Sequence, residues 1–596
     1  MSIPVTDRVA ARAARDAGRF DCALVHYRAA LAGDGSAADL WCEFGWVLLR
    51  RERFAEAVEA YGEAIALRPD LIEAHCNLGV ALHRLGRPQE AMAATLAAVR
   101  LDPTLPQPHL NLGSFLSEQG LLEVATLSLA QALTLRRDSA VLNNLGNVLA
   151  DQGRLEEAEA AYREALALAP GNRATHSNLL RLLNYRPSLR PETLFAEHCA
   201  WAALHDTGDR AALPPAAPPH HAGPLRIGLV SADFRGHSCG FFIRALLEGR
   251  DPTRLHVTCY AEPAPADAMT AILRARADGW RDLAGIDDAA AADLIAADHI
   301  DVLIDLSGHT QGNRLTLFMR RPAPVQVAWL GYPNTTAVAA IGWRITDAEA
   351  DPPGAADRLH TERLLRLPTG FLAYRPADEA PPPVVHPPRE TPDQIVFGSF
   401  NNLPKITDAV IALWGQLLRA VPGAKLLLKC RSLRDAATAQ RLRGRFAGWG
   451  VTPERLELIG WLPDRADHLG LYQRIDIALD PFPYNGTTTT CEALWQGVPV
   501  VTLAGDRHAG CVGVSLLTRV GLADLIAPTP DAYVAIAAAL AADGERRAIL
   551  RATLRPRMAA SPLCDRAGFA AAFTAALEQA VAAQRGAVSR EDTIPL

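Results

Sequence analysis

Gly45, Gly79 and Gly113 stand 34 residues apart, and Gly146 follows after 33. Ala23, Ala57, Ala91, Ala125 and Ala158 keep the same rhythm, and Pro69, Pro103 and Pro170 fall in step with them. No other feature of the 596 residues constrains the fold as tightly, because so strict a period demands like units stacked one on the next. Set side by side, LWCEFGWVLLRRERFAEAVEAYGEAIALRPD and AHCNLGVALHRLGRPQEAMAATLAAVRLDPT coincide at their small and apolar positions. Each unit reads as two antiparallel helices, small where they cross closely, with proline punctuating the turn to the next unit.

This is the tetratricopeptide spacing. Four full units run from about 37 to 172, a degenerate unit precedes them, and a helix over 174–185 follows. Such an array predicts an α-helical superhelix whose concave face binds peptide or protein. Asn77, Asn111 and Asn144 recur at one position, where the first full unit has Glu43, and Asn178 extends the series. Buried packing faces rarely carry repeated asparagine. The series reads as a ladder that grips a partner's backbone along the groove; the alternative is that each Asn ties one repeat to the next.

Charge argues against one class of partner. A formal net charge of −6 gives no electrostatic reason to expect nucleic acid. Hydrophobic residues at 49 % and charged residues at 21 % supply several buried cores, so the length divides into several domains. The ten cysteines include no C-x-x-C pair, which points to reduced thiols rather than a disulfide frame or a zinc site. The opening MSIPVTDRVAARAARDAGRF has no apolar signal core, and no stretch of about 18 uncharged apolar residues occurs. A soluble, cytoplasmic protein is expected.

Beyond LPPAAPPHHAG (213–223) the pattern changes to short apolar runs ending in small and polar residues, LRIGLVSADF and HIDVLIDLSGH among them. A second proline-rich stretch at 375–393 precedes another set: IVFGSFN, AKLLLKC, LELIGWL, IDIALD and VPVVTL. Runs of this kind, separated by helical segments, read as parallel strands with function at their carboxyl ends. The organisation expected is a repeat array over 1–190, a connecting helix and linker over 191–223, a Rossmann-like domain over 224–375, a linker over 376–393, and a second Rossmann-like domain over 394–596.

The stretch DPFPYNGTTTTCEALWQG (480–497) carries the densest chemistry. Threonine is a mediocre helix former but suits a strand-to-helix junction, where hydroxyls and free N–H groups meet an anion. Gly486, Thr487, Thr488 and Thr489 stand at that junction; Glu492 lies one turn in, placed to accept bonds from ribose hydroxyls or only to favour the helix dipole. Lys405 follows another strand end in FGSFNNLPKIT, and Arg465 and His468 follow a third in WLPDRADHLGLY. In the first half, His237 in SADFRGHSCGFF and Asp305 and His309 in DLSGHTQGNRL end strands too; a histidine there can take a proton from a hydroxyl.

These segments, with RPAPVQVAWLGYPNTT and AGDRHAGCVGVSLL, closely resemble the protein O-GlcNAc transferase family, nearest to its SPINDLY-like branch, from about 224 to 584. The resemblance implies a GT-B fold of two doubly wound Rossmann-like domains and an inverting glycosyltransferase that modifies Ser/Thr hydroxyls of proteins. It implies no metal or cofactor, in keeping with the lack of a suitably placed D-x-D pair. It also implies roles: Lys405 contacts the donor diphosphate, Thr488 and Thr489 form the phosphate-binding pair, Glu492 holds the ribose, His468 and Asn402 line the donor site, and His237 is the active-site histidine. Asp305, or a donor phosphate oxygen, is the alternative proton acceptor. Asn77, Asn111, Asn144 and Asn178 become the acceptor groove. Thr487 replaces a histidine of the animal-type enzymes and Arg465 a lysine, and their large insert between the catalytic halves is absent. UDP-GlcNAc is the expected donor, GDP-fucose the alternative; a non-catalytic repeat scaffold is the rival of another class.

Overall fold

The computed structural model describes residues 3–206, 223–262, 266–384 and 394–591. The proline-rich stretches read as linkers lie largely outside the described residues. The chain divides into two compact units: Met1–Pro170 with Arg434–Thr438, and Gly171–Leu433 with Ala439–Leu596.

The first unit is helical throughout its described repeats. Five helix pairs run from Ile3–Asp16 and Phe20–Gly33 to Ser139–Asp151 and Leu155–Leu168, so the degenerate first unit is a complete pair. The recurring glycines mark where each pair closes. A Cβ on Gly45 would lie 2.8 Å from the Tyr61 ring, and one on Gly146 would lie 2.6 Å from the Tyr162 ring. The recurring Ala57, Ala91, Ala125 and Ala158 are fully buried. A second series turns between paired helices: Gly18, Gly86, Gly120 and Gly153 have positive φ, and Glu52 holds the same place at φ 58°.

The second unit contains two parallel sheets. The first joins β1 (Leu225–Ser231), β2 (Leu255–Ala261), β3 (Gly279–Asp282), β4 (Val302–Asp305), β5 (Val325–Ala328), β6 (Trp343–Thr346) and β7 (Arg363–Arg366) in the order β3-β2-β1-β4-β5-β6-β7. The second joins β8 (Val396–Ser399), β9 (Lys425–Lys429), β10 (Leu456–Ile459), β11 (Ile477–Leu479), β12 (Val500–Leu503) and β13 (Ile526–Ala527) in the order β10-β9-β8-β11-β12-β13. Strand order reverses between β1 and β4 and between β8 and β11. In open parallel sheets a ligand crevice forms outside the carboxyl ends at such points.

The two sheets belong to one unit because side chains cross between them. Ser515 donates to Asp347 at 2.5 Å, and His508 Nδ1 lies 2.7 Å from Asp351 Oδ2. The Arg566–Glu591 helix returns from the second half to pack on the Ser238–Gly249 helix of the first. Its Phe573 ring lies 4.8 Å from Trp329.

The compact units part at a different point from the repeat array read over 1–190. The Arg173–Leu183 helix, assigned from sequence to the repeat array, clusters with the sheets. Ser177 Oγ lies 3.1 Å from His309 Nδ1, and Asn184 donates to the Tyr332 hydroxyl at 2.9 Å, so the division falls after Pro170 rather than at 190. Asn178 therefore belongs to the second unit and the other three ladder positions to the first.

Candidate active site

The β8 and β11 ends meet around Lys405. Its ammonium donates to the Asn485 carbonyl at 2.6 Å and to Asn401 Oδ1 at 3.4 Å, and it stands 4.3 Å from the centre of the Tyr484 ring. Burial pulls the Lys405 pKa down to about 8, with Asp480 acting the other way. Asp480 anchors the turn: one carboxylate oxygen accepts from Gly486 N at 2.6 Å and the other from Thr502 at 2.7 Å. Burial pushes its carboxyl up to about 6. Gly486 has no room for a side chain, since a Cβ would lie 2.9 Å from Thr490 Oγ1 and 3.1 Å from Asp480.

The threonine run does open a helix, Thr488–Trp495, but not as a hydroxyl cap. Thr487 occupies the N-cap and makes no side-chain cap bond. Thr489 donates to Asn401 at 3.2 Å, Thr490 to the Gly486 carbonyl at 3.2 Å, and Thr488 Oγ1 is buried with no hydrogen-bond partner among the described residues. The first-turn N–H groups have no capping side chain, which suits an anion.

Beside this lies a second cluster. Buried Glu492 has Oε2 3.1 Å from His468 Nε2 and accepts from the Tyr472 hydroxyl at 3.3 Å, while Arg465 stands 4.0 Å from its other oxygen. His468 Nδ1 is buried without a hydrogen-bond partner among the described residues. The Tyr472 hydroxyl also donates to the Thr489 carbonyl at 3.2 Å, which joins the two clusters. Arg465 reaches the first sheet's half, its guanidinium 3.7 Å from the centre of the Phe241 ring on the Ser238–Gly249 helix.

His237 is the N-cap of that helix, with its side chain 43 % exposed. Its Nδ1 accepts from Cys239 N at 3.3 Å and lies 3.5 Å from Asp233. Burial lowers its pKa, against the pull of Asp233. With Nδ1 accepting, the neutral ring carries its proton on Nε2 and is a donor; to act as a base it must leave the cap and turn an Nδ1–H toward Asp233.

Several expected residues sit differently. Asn402 is exposed at the head of the Leu403–Lys405 turn, and buried Asn401 makes the contacts instead. Residues 397, 399 and 401 share one face of the extended chain, and Asn401 donates to Ser399 Oγ at 3.2 Å; that period of two was the available signal. Asp305 is buried and accepts from Ser307 N at 3.1 Å and Gly308 N at 2.8 Å, so both oxygens serve its own loop. Burial pushes it up to about 6 against those bonds. His309 is wholly buried between Ser177 and the Thr336 carbonyl. In the repeats, Asn144 donates to Ser114 at 3.0 Å, a tie to the preceding repeat, and Asn111 accepts from Gln107 at 2.9 Å within its own helix. Tyr472 and Tyr484 were not singled out in sequence.

Comparison with known proteins bears on both units. The model of glycosyl transferase family 41 matches residues 213–375 and 388–573, and tetratricopeptide models match 45–86, 72–105 and 139–172. A tomato (Solanum lycopersicum) protein named probable UDP-N-acetylglucosamine–peptide N-acetylglucosaminyltransferase SPINDLY is 41 % identical over 411 residues, 67 % of this chain and 43 % of the relative. Its Arabidopsis thaliana namesake is 40 % identical over 418 residues, 68 % of this chain and 45 % of the relative. The chain thus spans less than half the length of these curated relatives. A mutant O-GlcNAc transferase of Thermobaculum terrenum superposes with a TM-score of 0.79 at 36 % identity, covering 86 % of this chain and 98 % of that one.

Proposed function

Because the chain belongs to glycosyl transferase family 41, we propose that it is an inverting protein O-glycosyltransferase that moves GlcNAc from UDP-GlcNAc to Ser/Thr hydroxyls of proteins held by the repeats. The observation that carries this reading is the convergence of Lys405, the uncapped start of the Thr488–Trp495 helix, and the Arg465–His468–Glu492 cluster at one end of one sheet. Two cations and a free helix terminus suit a diphosphate, and a buried carboxylate beside them suits ribose hydroxyls.

In the reaction the acceptor oxygen attacks the anomeric carbon from the face opposite the diphosphate. The new C–O bond forms as the bond to the leaving phosphate oxygen breaks, which inverts the centre. Negative charge builds on the diphosphate, where Lys405, Arg465 and the helix N–H groups stabilise it. The hydroxyl proton goes to a donor phosphate oxygen, or to His237 once its ring has left the cap. The proposal does not use Asp305, whose oxygens each accept a bond from its own loop. The charge on the leaving group is met by protein cations, and the reading assigns no metal. Among the described residues no helix is long and apolar enough to cross a membrane. A cytoplasmic setting belongs to the same proposal, and the ten free thiols suit a reducing compartment.

The test is turnover of a panel of UDP- and GDP-sugars by the purified protein, with and without a protein acceptor, read by nucleotide release and by the mass added to Ser or Thr. UDP-GlcNAc consumption with a HexNAc adduct is expected. Turnover of GDP-fucose alone overturns the donor assignment, and nucleotide binding without any turnover leaves the scaffold reading.

A further inference from the structure

The loop after β1 carries Asp233 and His237, and the first turn of the Ser238–Gly249 helix carries Cys239, with one ligating atom of each within 4.8 Å of the others. Among the described residues no other group of three or more His, Cys, Asp or Glu side chains is so arranged. Asp233 and Cys239 are buried, and His237 reaches solvent. The spacing of His237 and Asp233 resembles that of ligands around an ion. His237 Nδ1 and Asp233 Oδ2 stand 3.5 Å apart. On one tetrahedral centre with metal–ligand distances of about 2.0–2.3 Å, neighbouring donor atoms lie roughly 3.3–3.8 Å apart.

We propose that Asp233, His237 and Cys239 form an inhibitory site for a zinc-class divalent cation, with a solvent water as fourth ligand. The chemistry of the set selects the ion. One sulfur, one imidazole nitrogen and one carboxylate oxygen suit Zn²⁺ and its thiophilic relatives, whereas Mg²⁺ and Ca²⁺ require oxygen ligands. Binding takes the thiol proton from Cys239 and releases it to solvent, and the resulting thiolate and the carboxylate together balance the two positive charges. His237 surrenders the Cys239 N–H bond, and the Nδ1 lone pair that accepted it goes to the metal. Arg235 lies 3.4 Å from Asp233 Oδ1, so the oxygen facing His237 remains for the ion.

The consequence is a locked ring. With Nδ1 on the metal, His237 can neither cap its helix nor turn toward Asp233 to act as a base. The site is thus inhibitory rather than a cofactor site. It goes beyond the glycosyltransferase reading, because metal binding is measurable whether or not transfer occurs.

The experiment titrates the full chain with Co²⁺, whose thiolate complexes have a sulfur-to-metal charge-transfer band, then displaces it with Zn²⁺. One Co²⁺ per chain is expected, with the band lost in Cys239→Ala and affinity at least tenfold weaker in Asp233→Asn. Zn²⁺ should raise the melting temperature of the wild type and leave that of Cys239→Ala unmoved. Zn²⁺, but not Mg²⁺, should inhibit sugar transfer reversibly by EDTA, and Cys239→Ala should keep basal transfer while becoming at least tenfold less sensitive. Absence of a thiolate band, or a band that survives in Cys239→Ala, overturns the site. Occupancy at Cys239 with transfer undiminished overturns the inhibitory role. Should Cys239→Ala fold poorly, loss of the band in His237→Ala decides the same question.

Discussion

Lys405 carries the clearest consequence of burial. Its pKa of about 8 means that the free site holds a cation at neutral pH and loses it in mild alkali. Above that value an anion must bind together with a proton, so affinity for UDP or GDP should fall about fivefold between pH 8 and pH 9. Calorimetric titration checks this, and Lys405→Ala should flatten the slope. A flat profile in the wild type removes Lys405 from the diphosphate site. The same variant should lower transfer by about 100-fold or more, since one donor to a developing oxyanion contributes about 3 kcal/mol. Activity within about threefold of wild type contradicts the mechanism. At this scale the sequence identified the kind of residue better than its direction. His468 meets Glu492 and Lys405 meets Asn401, whereas Asn402 is exposed and Asp305 is buried in its own loop. One step along an extended chain reverses the face a side chain occupies, and no motif records that.

At the scale of the element, the threonine run behaves unlike an ordinary cap. Thr488 Oγ1 is buried without a partner among the described residues, a condition that costs about 1–3 kcal/mol. Thr488→Val should therefore leave the melting temperature of the free protein unchanged or raise it. Thr488→Val with Thr489→Val should nevertheless weaken donor binding by tenfold or more, at roughly 1.5–3 kcal/mol per bond to a charged oxygen. Loss of stability with donor affinity intact reverses the assignment and makes the run a structural cap. The repeats carry their own irregularity at Glu52, which adopts φ 58° where four other turns have glycine. Relief of a left-handed conformation is worth about 1–2 kcal/mol against about 0.5–1 kcal/mol of added chain entropy. Glu52→Gly should thus stabilise the repeats by about 0.5–1 kcal/mol in denaturant unfolding. A lower midpoint shows that Glu52 makes a compensating contact.

For the whole molecule, the division after Pro170 separates two truncations that sequence alone treats as alike. Removal of 1–170 keeps Ser177 against His309 and Asn184 against Tyr332, so nucleotide binding should survive while transfer to intact proteins drops. Removal of 1–190 strips both partners from buried groups, and each unpaired buried polar group costs about 1–3 kcal/mol. The shorter chain should melt markedly lower or fail to accumulate; equal melting temperatures place the boundary at 190 after all. Periodicity, strand-like apolar runs and the motifs at their ends were determined by the sequence alone, because each is a local pattern that fixes which face of a helix or which end of a strand a residue occupies. The partners that Arg465, His309 and the Arg173–Leu183 helix take were decided only by the tertiary structure. Those contacts join residues far apart in the chain, and packing rather than local propensity selects among them.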